Sequence, residues 1–191
     1  MGKIVVTEFV SLDGVMEAPG GGESYRHAGW TFEIPRGDEG NQFKVEETRD
    51  SEALLLGRAT YDGFAAAWPS RSGEFADKFN SMPKYVVSTT LTRPAWHNTH
   101  IITGDIVREV AKLRKDLRSD IVVHGSARLA QTLIEHDLVD ELRLMVFPVL
   151  LGAGKRLFGE ISDKKRWRLL ESRTVGDGVL ILRYGPQTAN A

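Results

Sequence analysis

Residues 53–64 read ALLLGRATYDGF, an apolar run that stops at Gly57-Arg58-Ala59-Thr60. The run predicts a buried strand at 53–57, with a helix through 60–67. At the junction Gly57 would let another molecule approach the backbone, while Arg58 and Thr60 offer a cation and a hydroxyl. Two other segments end in the same style. KYVVSTTL (84–91) stops in hydroxyls, and IVVHGSARLAQTLI (121–134) turns through Gly125-Ser126 into a helix. Strands that alternate with helices predict a mainly parallel sheet covered on both faces. Small polar residues at three strand ends predict a phosphate-bearing ligand across the sheet's edge.

Outward from there, a first strand is predicted at Lys3–Val10, running into Ser11-Leu12-Asp13-Gly14. Residues 18–40 are rich in glycine and carry Tyr25, Trp30 and Phe32, which reads as a long binding loop with aromatic anchors. Residues 41–51 are polar around Phe43 and Val45 and predict a short surface helix. Strands follow at 84–88 and near 99–102. Asp105 is placed to cap a helix bearing Val107, Val110, Ala111, Leu113 and Leu117. After a strand at 121–123, Leu129, Ala130, Leu133 and Ile134 mark another helix face. Glu141–Val149 reads as a strand, residues 151–154 as a glycine-rich turn. Trp167–Val175 and Val179–Tyr184 form a hairpin around Gly176-Asp177-Gly178. With no repeat and no linker, residues 1–191 are expected to form one domain.

Composition narrows the function classes. A net charge of −1 gives no field to attract nucleic acid or a membrane surface. No apolar run reaches the length of a membrane span. The chain contains no cysteine, which excludes disulfides, thiolate metal sites and a thiol nucleophile. No metal site is expected. Lys3 leads straight into a strand without the layout of a signal peptide, so a cytoplasmic location is expected.

Each candidate residue has a plain structural reading beside the functional one. Arg58 is either a surface arginine at a strand-to-helix turn or a planar fork that grips a phosphate. A 2′-phosphate on an adenine ribose would need such a fork, which favours NADPH over NADH. Ser88 and Thr89 read as turn residues on their own. In a parallel sheet they share Arg58's edge. Gly125, Ser126, Ala127 and Arg128 open a helix whose free amides suit a pyrophosphate, and His124 at the same corner reads as a turn residue. Asp13 in Ser-Leu-Asp-Gly is a turn aspartate as local structure. At the sheet edge it would be a carboxyl partly buried under a ligand, with a raised pKa for proton transfer, or an anchor for substrate. Asp38 and Glu39 are its rivals.

GRATYDGF, KYVVSTTL and HGSARLAQTLI, in this order, resemble the dihydrofolate reductase superfamily. GSARLAQTLIEHDLVDELRLMVFPVLLGAGKRLF (125–158) is similar to the reductase domain of the bacterial riboflavin-pathway deaminase–reductase and its stand-alone relatives. The resemblance implies a three-layer α/β/α sandwich with a mostly parallel sheet and antiparallel C-terminal strands. It implies NADPH as cofactor. Gly57, Arg58, Thr60, Ser88 and Thr89 would hold the adenosine 2′-phosphate side and part of the pyrophosphate, and Gly125, Ser126, Ala127 and Arg128 the other pyrophosphate wall. It also implies a homodimer. Trp30…Pro35-Arg36-Gly37-Asp38-Glu39 loosely echoes a Trp…Pro segment that precedes an acid in the folate enzymes.

The expectation is therefore an NADPH-dependent reductase acting on a small polar C=N or C=O compound derived from a pterin, pyrimidine or sugar. Asp13 is the expected proton handler, and Asp13, Trp30 and Asp38 are expected to contact substrate, with Trp30 and Phe32 as a lid. The alternative is an NADPH-binding sensor without turnover. A flavodoxin-like mononucleotide protein fits less well, because the first strand–helix loop has no cradle rich in Ser and Thr.

Overall fold

Alternation of side chains makes β1 (Ile4–Ser11) a central strand: Ile4, Val6 and Val10 pack on one face of the sheet, Phe9 on the other. Helix α1 (Gly37–Asp50) follows, then β2 (Ser51–Gly57), α2 (Arg58–Ala67), α3 (Glu74–Ser81), β3 (Lys84–Val87) and β4 (Thr99–Ile102). Next come α4 (Ile106–Asp116), β5 (Asp120–Val123), α5 (Ala127–Glu135), β6 (Glu141–Phe147), β7 (Trp167–Val175) and β8 (Val179–Pro186). This is a computed structural model, and it describes residues 1–22 and 24–187. Glu23 of the glycine-rich loop and residues 188–191 of the expected domain lie outside the described residues.

The sheet runs in the order β4-β3-β2-β5-β1-β6-β8-β7. It is parallel up to β6, while β8 is antiparallel to both β6 and β7. Helices α4 and α5 cover the face that carries Ile4, Val6, Ala53, Leu55, Ile121 and Val123. Helices α1, α2 and α3 cover the other face, over Leu54, Leu56, Met145 and Phe147. The result is the expected α/β/α sandwich. Each fully buried valine, leucine, isoleucine, methionine or phenylalanine among them contributes about 1.5–3 kcal/mol. No helix among the described residues is long and apolar enough to cross a membrane.

Two helices depart from the sequence reading. The stretch read as a short surface helix is part of the 14-residue α1, which buries Gly40, Phe43, Lys44, Glu47 and Thr48. Its inner face is largely polar, so it left no apolar stripe to read. Its charges are matched instead: the Lys44 ammonium donates to Glu47 and to Thr7 Oγ1 (2.8 Å), and Glu47 stands 3.7 Å from Arg143. Helix α3 is a second addition, short and anchored by Ala76 and Phe79. Asp105 does cap α4, accepting from the Arg108 amide at 3.1 Å.

Topology decides where a ligand can sit. The chain leaves β1 and β2 toward the α1–α3 face but leaves β5, which lies between them, toward the α5 face. Adjacent parallel strands whose connections part in this way leave a crevice at their carboxyl ends.

Candidate functional site

The crevice is built from the ends of β2, β3 and β5. Gly57 ends β2 and donates its amide to the Gly125 carbonyl at 3.1 Å, which binds two strand ends together. A Cβ at position 57 would stand 2.2 Å from Ser126 Oγ and 2.9 Å from the Ser126 amide nitrogen. Glycine is needed there for a reason other than the one expected. The space beside Gly57 is filled by Ser126, so the close approach is made by the protein's own turn.

Arg58 is the first residue of α2 and is 38% exposed. Its Nε donates to both carboxylate oxygens of Asp62 at 2.9 Å, and its Nη1 donates to Thr90 Oγ1 at 3.1 Å. Ser88 Oγ accepts from the Thr90 and Leu91 amides at 3.1 and 3.0 Å, closing the turn after β3. The arginine and the hydroxyls thus converge as expected, with one change: Thr90 rather than Thr89 reaches the guanidinium.

At the third strand end, Gly125 has a φ of 92°, in the left-handed region that glycine favours, and the Gly125–Ser126 peptide is cis. Ser126 is the N-cap of α5, and its side chain caps no amide. Ala127 is buried and Arg128 exposed. The unpaired amides and the dipole of this helix start suit an anion. Thr60 Oγ1 closes the same corner, 2.8 Å from where a Cβ on Gly125 would lie. His124 turns away from it, its ring 5.5 Å from that of Phe79 and 6.0 Å from that of Phe64. Burial, with Lys44 adding to it, holds this imidazole well below its ordinary pKa, so it is neutral.

The three residues expected to contact substrate make other contacts within the protein. Asp13 accepts from Ser11 Oγ (2.6 Å) and from the Leu151 and Gly152 amides (3.1 and 2.9 Å), with Arg156 at 3.8 Å. The Ser11 hydroxyl above all, and then those amides, lower its pKa to about 2. A raised pKa was expected and the reverse is found: Asp13 is a carboxylate that fastens the 151–156 turn to the end of β1, with no proton to give at neutral pH. Trp30 is 2% exposed, packed edge-on to Phe147 at 5.3 Å with its indole donating to the Glu17 carbonyl. It is a core residue and no lid, and Phe32 beside it is 76% exposed. Asp38 and Glu39 lie exposed in the first turn of α1, where acids suit the helix dipole. That turn docks on the β7–β8 hairpin through the Asp177 amide and the Pro35 carbonyl (2.8 Å).

The residue that sequence reasoning missed is Glu8. It shares the sheet face of Val6 and Val10 and is 7% exposed. Its Oε1 has no hydrogen-bond partner among the described residues, and that oxygen stands 3.8 Å from where a Cβ on Gly125 would lie. Burial pushes its pKa well above the usual carboxylate range. Lys44 and the Gly125 amide pull it down, and Glu47 pushes it up. The signal was present: a single carboxylate in the apolar run IVVTEFV, with buried neighbours at positions 4, 6 and 10.

Fold and site together define a dihydrofolate reductase-like α/β protein with an anion-suited crevice at its carboxyl edge. The chain belongs to the family of the RibD C-terminal domain, whose sequence pattern matches residues 2–181. It is 30% identical over 187 residues to the YyaP protein of Bacillus subtilis, covering 95% of this chain and 94% of that one. A structure assigned to riboflavin biosynthesis, from Shewanella sp. PV-4, superposes with a TM-score of 0.79 at 23% identity over 97% of this chain and 99% of that one. The dihydrofolate reductase of Enterococcus faecalis, solved with NADP(H), gives a TM-score of 0.64 at 15% identity, covering 97% of both chains. Identities this low show the shared fold.

Proposed function

We propose that the protein is an NADPH-dependent reductase of a small polar substrate, a C=N or C=O compound related to pterins, pyrimidines or sugars. The observation that carries this reading is the meeting of Arg58, Thr90 and the Ser126–Arg128 helix start on one edge. Membership of a family named for a riboflavin-pathway domain supports it, as does the likeness to a dihydrofolate reductase solved with NADP(H).

The residues present fit a dinucleotide. Arg58 and Thr90 would hold the 2′-phosphate, with Ser88 fixing the turn that presents Thr90. The amides of Ala127 and Arg128, with Thr60 beside them, would hold the pyrophosphate. Asp62 now occupies Arg58, but an exposed pair of this kind is worth about 0.3–0.5 kcal/mol, so a phosphate displaces it readily. When bound, the reduced nicotinamide supplies the hydride. The protein supplies alignment, which contributes about 7–11 kcal/mol where donor and acceptor are well placed. The homodimer implied by the family resemblance belongs to the same proposal, and sedimentation would then give twice 21.2 kDa.

The test is oxidation of NADPH, followed by its near-ultraviolet absorbance, against a panel of oxidised pterins, aminopyrimidines and sugar-derived carbonyl compounds. Turnover of at least one, with NADPH preferred to NADH, is the expected result. Consumption of neither coenzyme with any of them counts against a reductase.

A further inference from the structure

We propose that Glu8 is the proton donor of this site, because its buried, unpartnered carboxyl oxygen stands at the crevice where β5 leaves the side of β1. The inference rests on the reductase reading. Val6 with Val123 is the last pair between β1 and β5, whereas β1 stays paired with β6 as far as Ser11 with Phe147. From position 7 onward, β1 therefore presents to the crevice an edge that β5 has left. Glu8 sits on that stretch, and Oε1 is directed toward the Gly125 turn.

The surroundings suit a carboxyl that holds a proton and then releases it. Met16 stands over the same turn, its methyl 3.6 Å from where a Cβ on Gly125 would lie, and is itself buried. From α1, Lys44 and Glu47 act on the carboxyl with opposite signs, and the Gly125 amide steadies its charged form. From α2, Thr60 brings a hydroxyl to the other side of Gly125. Desolvation, the largest influence, favours the protonated form, which is the form a general acid needs.

The chemistry balances. Reduction of C=N to CH–NH, or of C=O to CH–OH, adds a hydride to carbon and a proton to the heteroatom. A bound reduced nicotinamide would supply the hydride with both electrons and be oxidised in doing so. Glu8 gives the proton and becomes a carboxylate, which Lys44 steadies until water restores the acid. Asp13, ionised down to about pH 2, cannot take this part.

Two measurements test the assignment without turnover. In infrared difference spectra of the protein labelled with ¹³C-glutamate, a protonated carboxyl band should be present at pH 7 and absent from Glu8→Gln. Calorimetric titration with NADP⁺ in buffers of different ionisation enthalpy should show proton release from wild type, because a donor within reach of the reacting ring would feel the positive charge of its oxidised form, which favours the carboxylate. NADPH, whose ring is neutral, should release none, and Glu8→Gln should bind both coenzymes without release. If neither coenzyme binds, the reductase reading fails and the donor role with it. If both bind and Glu8→Gln releases the same protons as wild type, or if the labelled band is missing at pH 7, the reading stands and Glu8 is not the donor.

Discussion

Arg58 divides its guanidinium between Thr90 and Asp62, and the second partner bears on coenzyme choice. A carboxylate this close would repel a phosphate on the adenine ribose while accepting a bond from a free 2′-hydroxyl. Asp62→Asn should therefore raise the preference for NADPH over NADH about 2- to 5-fold, the range of an exposed charge interaction of roughly 0.5–1 kcal/mol. Fluorescence titration of both coenzymes reads the ratio directly. Glu8 and Asp13 give opposite pH signatures. The folded pKa of Glu8 lies above its ordinary 4.5, so its stabilising contribution is complete below 4.5 and is lost as pH rises through the folded value. Glu8→Gln should lack that decline when thermal stability is followed from pH 4.5 upward. The folded pKa of Asp13 is depressed from 3.8 to about 2, so its contribution is complete above 3.8 and is lost as pH falls toward 2. Asp13→Asn should flatten that acid limb. A wild type and variant with parallel pH profiles would contradict either assignment.

At the scale of elements, the joint between β2 and the start of α5 is the tightest feature of the site. Gly57→Ala places a methyl within 3 Å of both the side chain and the backbone of Ser126, so the turn must shift. Overpacking of this kind costs about 1–3 kcal/mol, which urea denaturation would measure. Trp30 belongs to the second core cluster, with Phe43, Phe147 and Ile181. Trp30→Ala should cost about 3–5 kcal/mol, whereas Phe32→Ala should stay within about 0.5 kcal/mol, as at other exposed positions. If the two substitutions had equal effects, Trp30 would not be the pin of the loop. The sequence could not separate them, since both are aromatic residues in one glycine-rich segment. What divides them is a partner distant in the chain: Phe147 of β6 lies under one ring and solvent over the other. Helix α1 was hard to read for a related reason. Its buried Lys44 and Glu47 pair with each other and with Thr7, so hydrophobic periodicity does not record the burial.

Over the whole molecule, the legible part was the part written locally. Apolar runs that end in small polar residues located β2, β3 and β5, and the glycine spacing near the C-terminus located the β7–β8 hairpin. The meeting of Arg58 with the hydroxyls after β3, and of Gly57 with the Gly125 turn, followed, because parallel strands bring their carboxyl ends to one edge wherever they lie in the sheet order. Long-range pairing was not legible. The sequence reads Asp13 as a proton handler or substrate anchor, because the turn at 151–152, whose amides keep it ionised, lies far along the chain. Glu8 is marked in the sequence only as a lone carboxylate in an apolar strand, and what encloses it, α1 and the Gly125 turn, is distant in the chain. The central claim is that these converging strand ends bind a 2′-phosphorylated nicotinamide dinucleotide. It is tested most directly by titrating NADPH and NADH against wild type and Arg58→Ala, with nicotinamide fluorescence as the signal. Tighter binding of NADPH to wild type, with that advantage abolished in Arg58→Ala, is the predicted result. Equal affinity of wild type for the two coenzymes, or an NADPH preference that survives the substitution, would contradict it.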